Sequence, residues 1–255
     1  MDRRTVTLLS IPIDAIRQKD AIQIILEMLE GGHLKRFFKV GGQHHVITPN
    51  SEMLVESFKN DKFREVLQLA SLNIPDSVGL LYAAKFKRKK LPERVTGVDT
   101  VVKLCSQLPK KHSVFLLGAK EGVAEKTAEK LKKINPELNV VGTFSGSPSE
   151  KDSVEIISKI KEARPHLLLV AFGAPKQDLW IAEHISQMPS VRVAMGVGGT
   201  FDFIAGVRKR APALLRSVGL EWMYRLVKQP SRFKRIMNAV VVFPWLVLCC
   251  KNKVS

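Results

Sequence analysis

The sequence predicts an α/β fold of the Rossmann-like type: a mainly parallel sheet with helices on both faces. Short apolar runs alternate with amphipathic segments through most of the 255 residues. Parallel neighbours need a crossover of about a dozen residues or more, usually a helix, and this spacing provides one. With 45% hydrophobic and 25% charged residues the chain is globular, and 3 cysteines are too few for a disulfide scaffold.

The predicted elements follow from the hydrophobic periodicity along the chain. A strand-like run from Thr5 to Ile13 leads into a first helix. The further strands are His45–Thr48, Leu72–Ile74, Ser113–Leu117, Asn139–Thr143, Leu167–Ala171 and Val191–Ala194. The helices between them are Ser51–Ala70, Val78–Lys87, Asp99–Gln107, Gly122–Ile134, Glu150–Ala163 and Lys176–Gln187.

The composition changes near Gly206, so we expect a core of residues 1–206 and a C-terminal appendage of residues 207–255, here called the tail. The tail carries 11 of the 41 Lys and Arg residues but a single acid, Glu221, and it is also rich in large apolar residues. A basic and apolar composition favours an anionic membrane surface over nucleic acid. A C-terminal helix that packs on its own core is the structural alternative.

The longest apolar stretch of the tail is too short to span a bilayer. The stretch Ile236–Cys250 contains 15 residues and includes Pro244, whereas a spanning helix needs about 20. Pro230 predicts two short helices with a kink between them. Because the N-terminus resembles no secretory signal, we expect a cytoplasmic protein that lies peripherally on the inner face of the bacterial cell membrane.

Ligands of open parallel sheets bind beyond the carboxyl ends of the strands, and four predicted loops there carry polar residues or glycines. We expect all four to converge on one rim. Their candidate substrate-binding residues include Asn50, Gly173, Gln177, Gly198, Gly199 and Thr200. The four loops are Thr48–Asn50, Pro75–Ser77, Phe172–Gln177 and Gly196–Thr200.

Each loop residue has a structural alternative. Asp76 directly follows a buried strand and is suited to take a proton from a hydroxyl group, yet Asp76 or Ser77 could instead cap the next helix. Thr48 and Asn50 carry the same ambiguity. The glycines of Gly196–Thr200 admit a diphosphate close to the backbone or simply meet a need for positive φ.

Metal and nicotinamide chemistry are not favoured by the motifs. The chain has no D-x-D pair and no His or Cys residues at metal-ligand spacing. The segment Gly118–Gly122 lacks the full G-x-G-x-x-G pattern and a ribose-binding acid, which counts against an oxidoreductase. Arginines would then have to neutralise a departing diphosphate, and the candidates are Arg94 and the tail arginines.

Five segments, in order along the chain, resemble the WecG/TagA/CpsF family of bacterial glycosyltransferases, and most closely its TagA branch. The likeness covers nearly the whole chain. Its most specific parts are the last two segments. The five are Thr48–Asn50, Pro75–Gly79, Arg94–Asp99, Phe172–Trp180 and Gly196–Asp202.

The resemblance implies a membrane-associated, metal-independent, inverting enzyme without a cofactor. It implies transfer of N-acetylmannosamine from UDP-N-acetylmannosamine to the 4-hydroxyl group of N-acetylglucosamine on undecaprenyl diphosphate, at the start of wall teichoic acid synthesis. Asp76 corresponds to the general base, and Thr48, Arg94 and Gln177 correspond to pocket positions. Arg225, Arg232 and Arg235 correspond to arginines that close over the nucleotide diphosphate.

Other readings of the sequence remain. Another UDP-sugar, with N-acetylmannosaminuronate or glucose, is the alternative within the family, and the resemblance also permits a homo-oligomer. A nucleic-acid-binding protein would account for the net charge of +17, but aromatic residues make up only 7% of the chain. Ser77 stands where many relatives have Gly, a departure that bears on the local backbone.

Overall fold

The computed structural model describes residues 4–31, 42–212, 215, 221–228 and 230–249, without the side chain of Arg225. Its centre is a six-stranded sheet in which every pair of neighbours is parallel. Two strands outside this sheet, β1 (Thr5–Leu8) and β2 (Ile11–Asp14), form a separate hairpin. The six strands of the sheet are β3 (His44–Ile47), β4 (Leu72–Asn73), β5 (Val114–Gly118), β6 (Val140–Phe144), β7 (Leu167–Ala171) and β8 (Val193–Gly196). The sheet order is β4-β3-β8-β7-β5-β6.

The helices agree with the predicted alternation of strands and helices. Short 3₁₀ turns lie at Ile185–Gln187 and Pro230–Arg232, and a π-helical turn lies at Asn238–Val242. The α-helices are α1 (Gln18–Leu29), α2 (Ser51–Lys59), α3 (Asp61–Leu69), α4 (Val78–Phe86), α5 (Gly97–Gln107), α6 (Val123–Ile134), α7 (Glu150–Ala163), α8 (Lys176–His184), α9 (Thr200–Ile204), α10 (Glu221–Lys228), α11 (Phe233–Met237) and α12 (Phe243–Cys249).

Both faces of the sheet are covered, which confirms the predicted fold class. Side chains alternate between faces along each strand. Leu116 and Leu169 pack in a cluster with α1, α5, α6 and α9. Their neighbours Phe115, Leu168 and Val170 pack on the other face with α7 and α8.

The prediction of one strand-like run over Thr5–Ile13 is wrong. Residues Leu9 and Ser10 have φ values of 47° and 67° and turn the chain back, so β1 and β2 pair as an antiparallel hairpin. Left-handed backbone in two residues that are not glycine carries little signal in the sequence.

Two predicted helices are shorter in the structure. The segment Ser51–Ala70 is divided at Asn60, which has extended backbone and whose Oδ1 accepts a hydrogen bond from Phe63 N at 3.0 Å. Asn60 therefore ends α2 and begins α3 as an N-cap. The predicted helix Lys176–Gln187 ends at His184 and continues as a 3₁₀ turn.

The tail packs one face on the core, beside α2 and α4. Phe243, Leu246 and Val247 are buried in the cluster that contains Leu54 and Leu80. Near the predicted break, α10 is described as far as Lys228 and a 3₁₀ turn spans Pro230–Arg232, while Gln229 lies outside the described residues. The opposite face of the tail exposes Phe233, Val240, Val241, Trp245 and Leu248. Among the helices that the structure describes, none has the length and apolar character needed to cross a membrane.

Candidate active site

The four strand-end loops converge on one cavity of about 410 Å³ at the carboxyl edge of the sheet. Because β4, β3, β8 and β7 are consecutive neighbours in the sheet, their following loops lie side by side. The predicted site residues that line this cavity are Thr48, Asn50, Asp76, Gly173, Gln177, Gly198, Gly199, Thr200, Arg232 and Arg235.

Asp76 lies at the cavity with its side chain 25% exposed. Its backbone N–H donates to the carbonyl oxygen of Pro49 at 2.9 Å, which ties the loop after β4 to the loop after β3. The N-cap of α4 is Ser77, and the Ser77 side chain makes no capping hydrogen bond. Asp76 is therefore not the N-cap of α4, and the Asp76 carboxylate instead lies near Arg94.

Ser77 has ordinary extended backbone, with φ of −138° and ψ of 146°. Its hydroxyl oxygen accepts a hydrogen bond from Ser51 N at 3.2 Å and lies 3.0 Å from Ser51 Oγ. The side chain at this position thus joins the starts of α2 and α4. The backbone there makes no demand for glycine.

Three polar side chains converge beside Gly97, at the start of α5. A Cβ atom built on Gly97 would lie 3.5 Å from Thr48 Oγ1, 3.7 Å from Asp76 Oδ2 and 3.7 Å from Thr200 Oγ1. Two hydroxyl groups and the carboxylate therefore surround one point, although they come from three different strand-end loops. Such a group suits the binding of a sugar, which presents several hydroxyls.

Asn50 is an N-cap. Its Oδ1 accepts a hydrogen bond from Met53 N at 3.0 Å, as the capping alternative predicted. Asn50 also lines the cavity, so one residue both caps α2 and borders the candidate site.

Gln177 joins two of the glycine loops. Its Oε1 accepts hydrogen bonds from Gly173 N at 3.0 Å and from Gly198 N at 2.9 Å, and the residue is only 3% exposed. Both glycines have positive φ, 81° and 52°, a conformation that favours glycine at these positions. The carbonyl group of Gln177 thus fixes the loops after β7 and β8 relative to each other.

The tail supplies the opposite wall of the cavity. Among the described side chains, five cations line it: Arg208, Lys209, Lys228, Arg232 and Arg235. Arg235 contacts the carboxylate of Glu52 on α2. The predicted residue Arg225 lies in α10, and its side chain is outside the described residues.

Arg94 does not itself line the cavity but connects the core to the tail. Its Nη2 lies 2.9 Å from Glu221 Oε2 and 3.8 Å from Asp76 Oδ1. Its Nε donates to the Asp76 carbonyl oxygen at 3.3 Å. One guanidinium group therefore lies against the carboxylates of both Asp76 and Glu221.

Two further ion pairs hold the start of the tail. Arg210 binds Asp99 with both Nη atoms, at 2.6 and 3.1 Å, and hydrogen bonding to Asp99 raises the pKa of Arg210. Arg208 Nε lies 3.1 Å from Asp202 Oδ2. Within the part of the chain that the structure describes, no three His, Cys, Asp or Glu side chains group closely enough to hold a metal ion.

Sequence reasoning missed several residues of the cavity. Glu221 had a signal, because it is the single acid among 11 cations, yet only the fold shows that it reaches Arg94. Glu52 lies in an amphipathic helix without any motif. The remaining missed residues that carry polar groups are Lys209, Tyr224 and Lys228, whereas Arg208 is one of the tail arginines that were expected to meet a diphosphate.

A parallel α/β sheet whose rim cavity is lined by a carboxylate and hydroxyl groups from the core, and by cations from the tail, suits a substrate with an anionic group. Comparison with known proteins identifies the protein family. Residues 6–255 match the glycosyl transferase WecG/TagA/CpsF family, and the chain belongs to that family.

Two Bacillus proteins are similar in sequence to this chain. Both carry the name N-acetylglucosaminyldiphosphoundecaprenol N-acetyl-beta-D-mannosaminyltransferase. The protein of Bacillus spizizenii (strain ATCC 23059 / NRRL B-14472 / W23) is 34% identical over 194 residues, which cover 76% of this chain and 74% of the relative. That of Bacillus subtilis (strain 168) is 30% identical over 194 residues, which cover 76% and 75%.

Proposed function

We propose that this glycosyltransferase moves N-acetylmannosamine from UDP-N-acetylmannosamine to the 4-hydroxyl group of N-acetylglucosamine carried on undecaprenyl diphosphate. The product would be the β-linked disaccharide that begins wall teichoic acid. The names of the two Bacillus relatives support the choice of donor and acceptor. The observation that carries the chemistry is a single cavity lined by Asp76 and by the tail cations.

Asp76 is the proposed general base. Its carboxylate takes the proton of the acceptor 4-hydroxyl group while that oxygen forms a bond to the anomeric carbon of the donor. The bond from the anomeric carbon to the β-phosphate oxygen breaks on the opposite face, so the configuration inverts. Thr48 and Thr200, which share the point beside Gly97 with Asp76, are placed to orient sugar hydroxyls.

The tail cations are the proposed partners of the departing UDP. Negative charge grows on the diphosphate as the glycosidic bond breaks, and Arg and Lys side chains stabilise it most strongly where water is excluded. Arg232 and Arg235 line the cavity together with Lys209 and Lys228. Arg225 lies in the same tail and completes the proposed set of arginines.

We further propose that the tail binds an anionic membrane surface on the cytoplasmic side. Its exposed apolar side chains recur at helical spacing from Phe233 through Val241 and Trp245 to Leu248. Lys234 is an exposed cation on the same segment, and a basic amphipathic helix of this kind binds in the plane of a membrane. Such binding brings the cavity to an acceptor that is anchored in the bilayer.

The test is a transfer assay with the full chain, a short-chain diphospholipid-linked N-acetylglucosamine and separate UDP-sugars. The donors are UDP-N-acetylmannosamine, UDP-N-acetylmannosaminuronate, UDP-N-acetylglucosamine and UDP-glucose, each with and without EDTA. We expect disaccharide from UDP-N-acetylmannosamine alone, at a rate that EDTA does not change. Preferential transfer from another donor would overturn the donor assignment, and loss of activity in EDTA would overturn the charge-neutralising role given to the tail cations.

A further inference from the structure

Helix α4 exposes two large aromatic side chains that the proposed reaction does not use. Tyr82 is 66% exposed and Phe86 is 62% exposed. They are four residues apart and therefore lie on the same face of the helix. The opposite face is buried in the core through Leu80, Ala83 and Ala84. The exposure of this aromatic face is thus a property of the folded core and not of an unpacked helix.

A cluster of cations surrounds the end of the same helix. Lys85, Lys87, Arg88, Lys89 and Lys90 fall within six consecutive residues that include no acid. All are exposed except Lys87, which is partly buried. Basic residues in the last turn interact favourably with the helix dipole, but that effect is confined to the last turn and does not account for Lys89 and Lys90 beyond it.

The backbone holds these cations in a defined position. Arg88 has φ of 56°, a left-handed conformation that ends the helix. Its N–H donates to the Lys85 carbonyl oxygen at 2.9 Å, and the Lys89 N–H donates to the Ala84 carbonyl oxygen at 2.9 Å. The charged segment is therefore fixed against the end of α4 beside the aromatic side chains.

Helix α4 is in direct contact with α12 of the tail. Phe243 of α12 lies beside the start of α4, since a Cβ atom on Gly79 would be 3.8 Å from Phe243 Cδ1. Both helices bury one face in the same apolar cluster. The exposed Trp245 and Leu248 of α12 thus belong to a helix that packs against α4.

We propose that Tyr82, Lys85, Phe86, Arg88, Lys89 and Lys90, here called the α4 patch, form a second contact with an anionic lipid bilayer, contributed by the core. The inference rests on the proposed membrane role of the tail and extends the contact surface beyond it. Aromatic side chains settle at the interface between headgroups and acyl chains, while Lys and Arg bind lipid phosphates. Contacts from both the core and the tail would orient the cavity relative to the bilayer, which a single helix does not do.

The observations favour lipid over nucleic acid as the occupant. A surface for single-stranded nucleic acid needs aromatic side chains along a continuous basic groove. Helix α4 instead contacts α12, whose exposed Trp245 and Leu248 offer no partner to a phosphate backbone. Exposed aromatic side chains combined with positive charge match a bilayer with anionic headgroups.

The experiment measures sedimentation of the full chain with vesicles of phosphatidylcholine, with and without phosphatidylglycerol. The charge variant is Lys89→Glu with Lys90→Glu, and its matched control is Lys132→Glu with Lys133→Glu on α6, which packs on the other face of the sheet. Each cation near an anionic surface contributes about 1 kcal/mol, so we expect the patch variant to bind the anionic vesicles roughly 10-fold or more weakly. The α6 control should bind as the unmodified chain does.

A second pair tests the aromatic contribution. Tyr82→Ser with Phe86→Ser should weaken binding to both kinds of vesicle, whereas Ile134→Ser at the exposed end of α6 should not. Equal thermal midpoints for all variants establish that the fold is kept. Turnover of a short-chain acceptor without vesicles should be unchanged, because the α4 patch does not line the cavity.

The outcomes separate this inference from the proposed reaction. Vesicle binding is measured without substrate. An error in the proposed donor or acceptor would therefore not change the result of the vesicle experiment. Unchanged vesicle binding by both patch variants would overturn the inference. So would a loss of oligonucleotide binding, or a change from oligomer to monomer, in variants that still bind vesicles normally.

Discussion

Asp76 and Glu221 lie against the same guanidinium group, that of Arg94, although they belong to the core and the tail. The Arg94–Glu221 contact is the shorter, at 2.9 Å, and both of its side chains are largely buried. An ion pair shielded from water contributes more than an exposed one. We therefore expect Glu221 to position Arg94, and Arg94 to restrict the carboxylate of Asp76.

Replacing the proposed base tests the chemistry most directly. Asp76→Asn keeps the size of the side chain but removes its capacity to accept a proton. We expect kcat to fall about 10²-fold or more, with donor binding retained. The control is Asp61→Asn at the exposed start of α3, which should leave turnover unchanged. Near-normal turnover of Asp76→Asn would contradict the role as base.

Glu221→Gln tests the connection between tail and core. The substitution removes the charge that faces Arg94 while keeping the shape of the side chain. A hydrogen bond between charged groups contributes about 1.5–3 kcal/mol, so the equilibrium constant for docking of the tail should fall roughly 10-fold or more. We expect tryptic cleavage within the tail to accelerate by that factor and kcat/KM to decrease. An unchanged cleavage rate would show that the ion pair does not hold the tail.

At the scale of elements, the site depends on two neighbouring strands and the turns that follow them. The loops after β7 and β8 contain glycines with positive φ, and Gln177 on α8 joins them through two backbone hydrogen bonds. A side chain in the first turn of α8 thus holds the loops after β7 and β8 in a fixed position relative to each other. The same principle operates between Asn50 and α2, where a cap fixes the residue that also lines the cavity.

Gln177→Leu tests the importance of that connection. Leucine has a similar size but accepts no hydrogen bond, so the N–H groups of Gly173 and Gly198 lose their partner. A buried group left without a partner costs about 1–3 kcal/mol, so we expect a loss of about 2–4 kcal/mol in the free energy of unfolding. The donor KM should also rise as the loops move. Gln107→Leu, at the exposed end of α5, should change neither the denaturation midpoint nor the KM.

At the scale of the whole molecule, the tail has both a packing and a chemical role in the proposed enzyme. It covers α2 and α4 with Phe243, Leu246 and Val247, and it contributes cations to a cavity that the core builds only in part. A closing element of this kind completes a site and excludes water from it. Arg210, held by Asp99, fixes where the tail leaves the core.

Removing the chain after Gly206 tests this dual role. We expect the remaining core to fold, because the six-stranded sheet and both of its helical layers lie before this point. Transfer should be nearly abolished, since the tail cations and Glu221 are lost together. Circular dichroism reports the fold, and the transfer assay with lipid-linked acceptor reports the activity. Full turnover by the truncated protein would disprove the chemical role of the tail.

The sequence by itself determined the fold class and most of the site. Apolar runs and amphipathic helices alternate at a spacing that favours parallel crossovers, and parallel strands bring their carboxyl ends to one edge. The sequence alone therefore assigns Asp76 and Gln177 to the same rim. Periodicity and the succession of strands and helices along the chain are local properties, which is why they can be recovered from the chain alone.

Tertiary structure decided what depends on contacts between distant residues or on unusual backbone. The hairpin turn at Leu9 and Ser10 uses left-handed conformations that neither residue favours. Arg94 and Glu221 are 127 residues apart, and nothing near either one marks the other as its partner. Packing likewise decided which face of the tail is buried. Large apolar residues lie on more than one face of the tail helices, and only contact with the core determines which of them are buried.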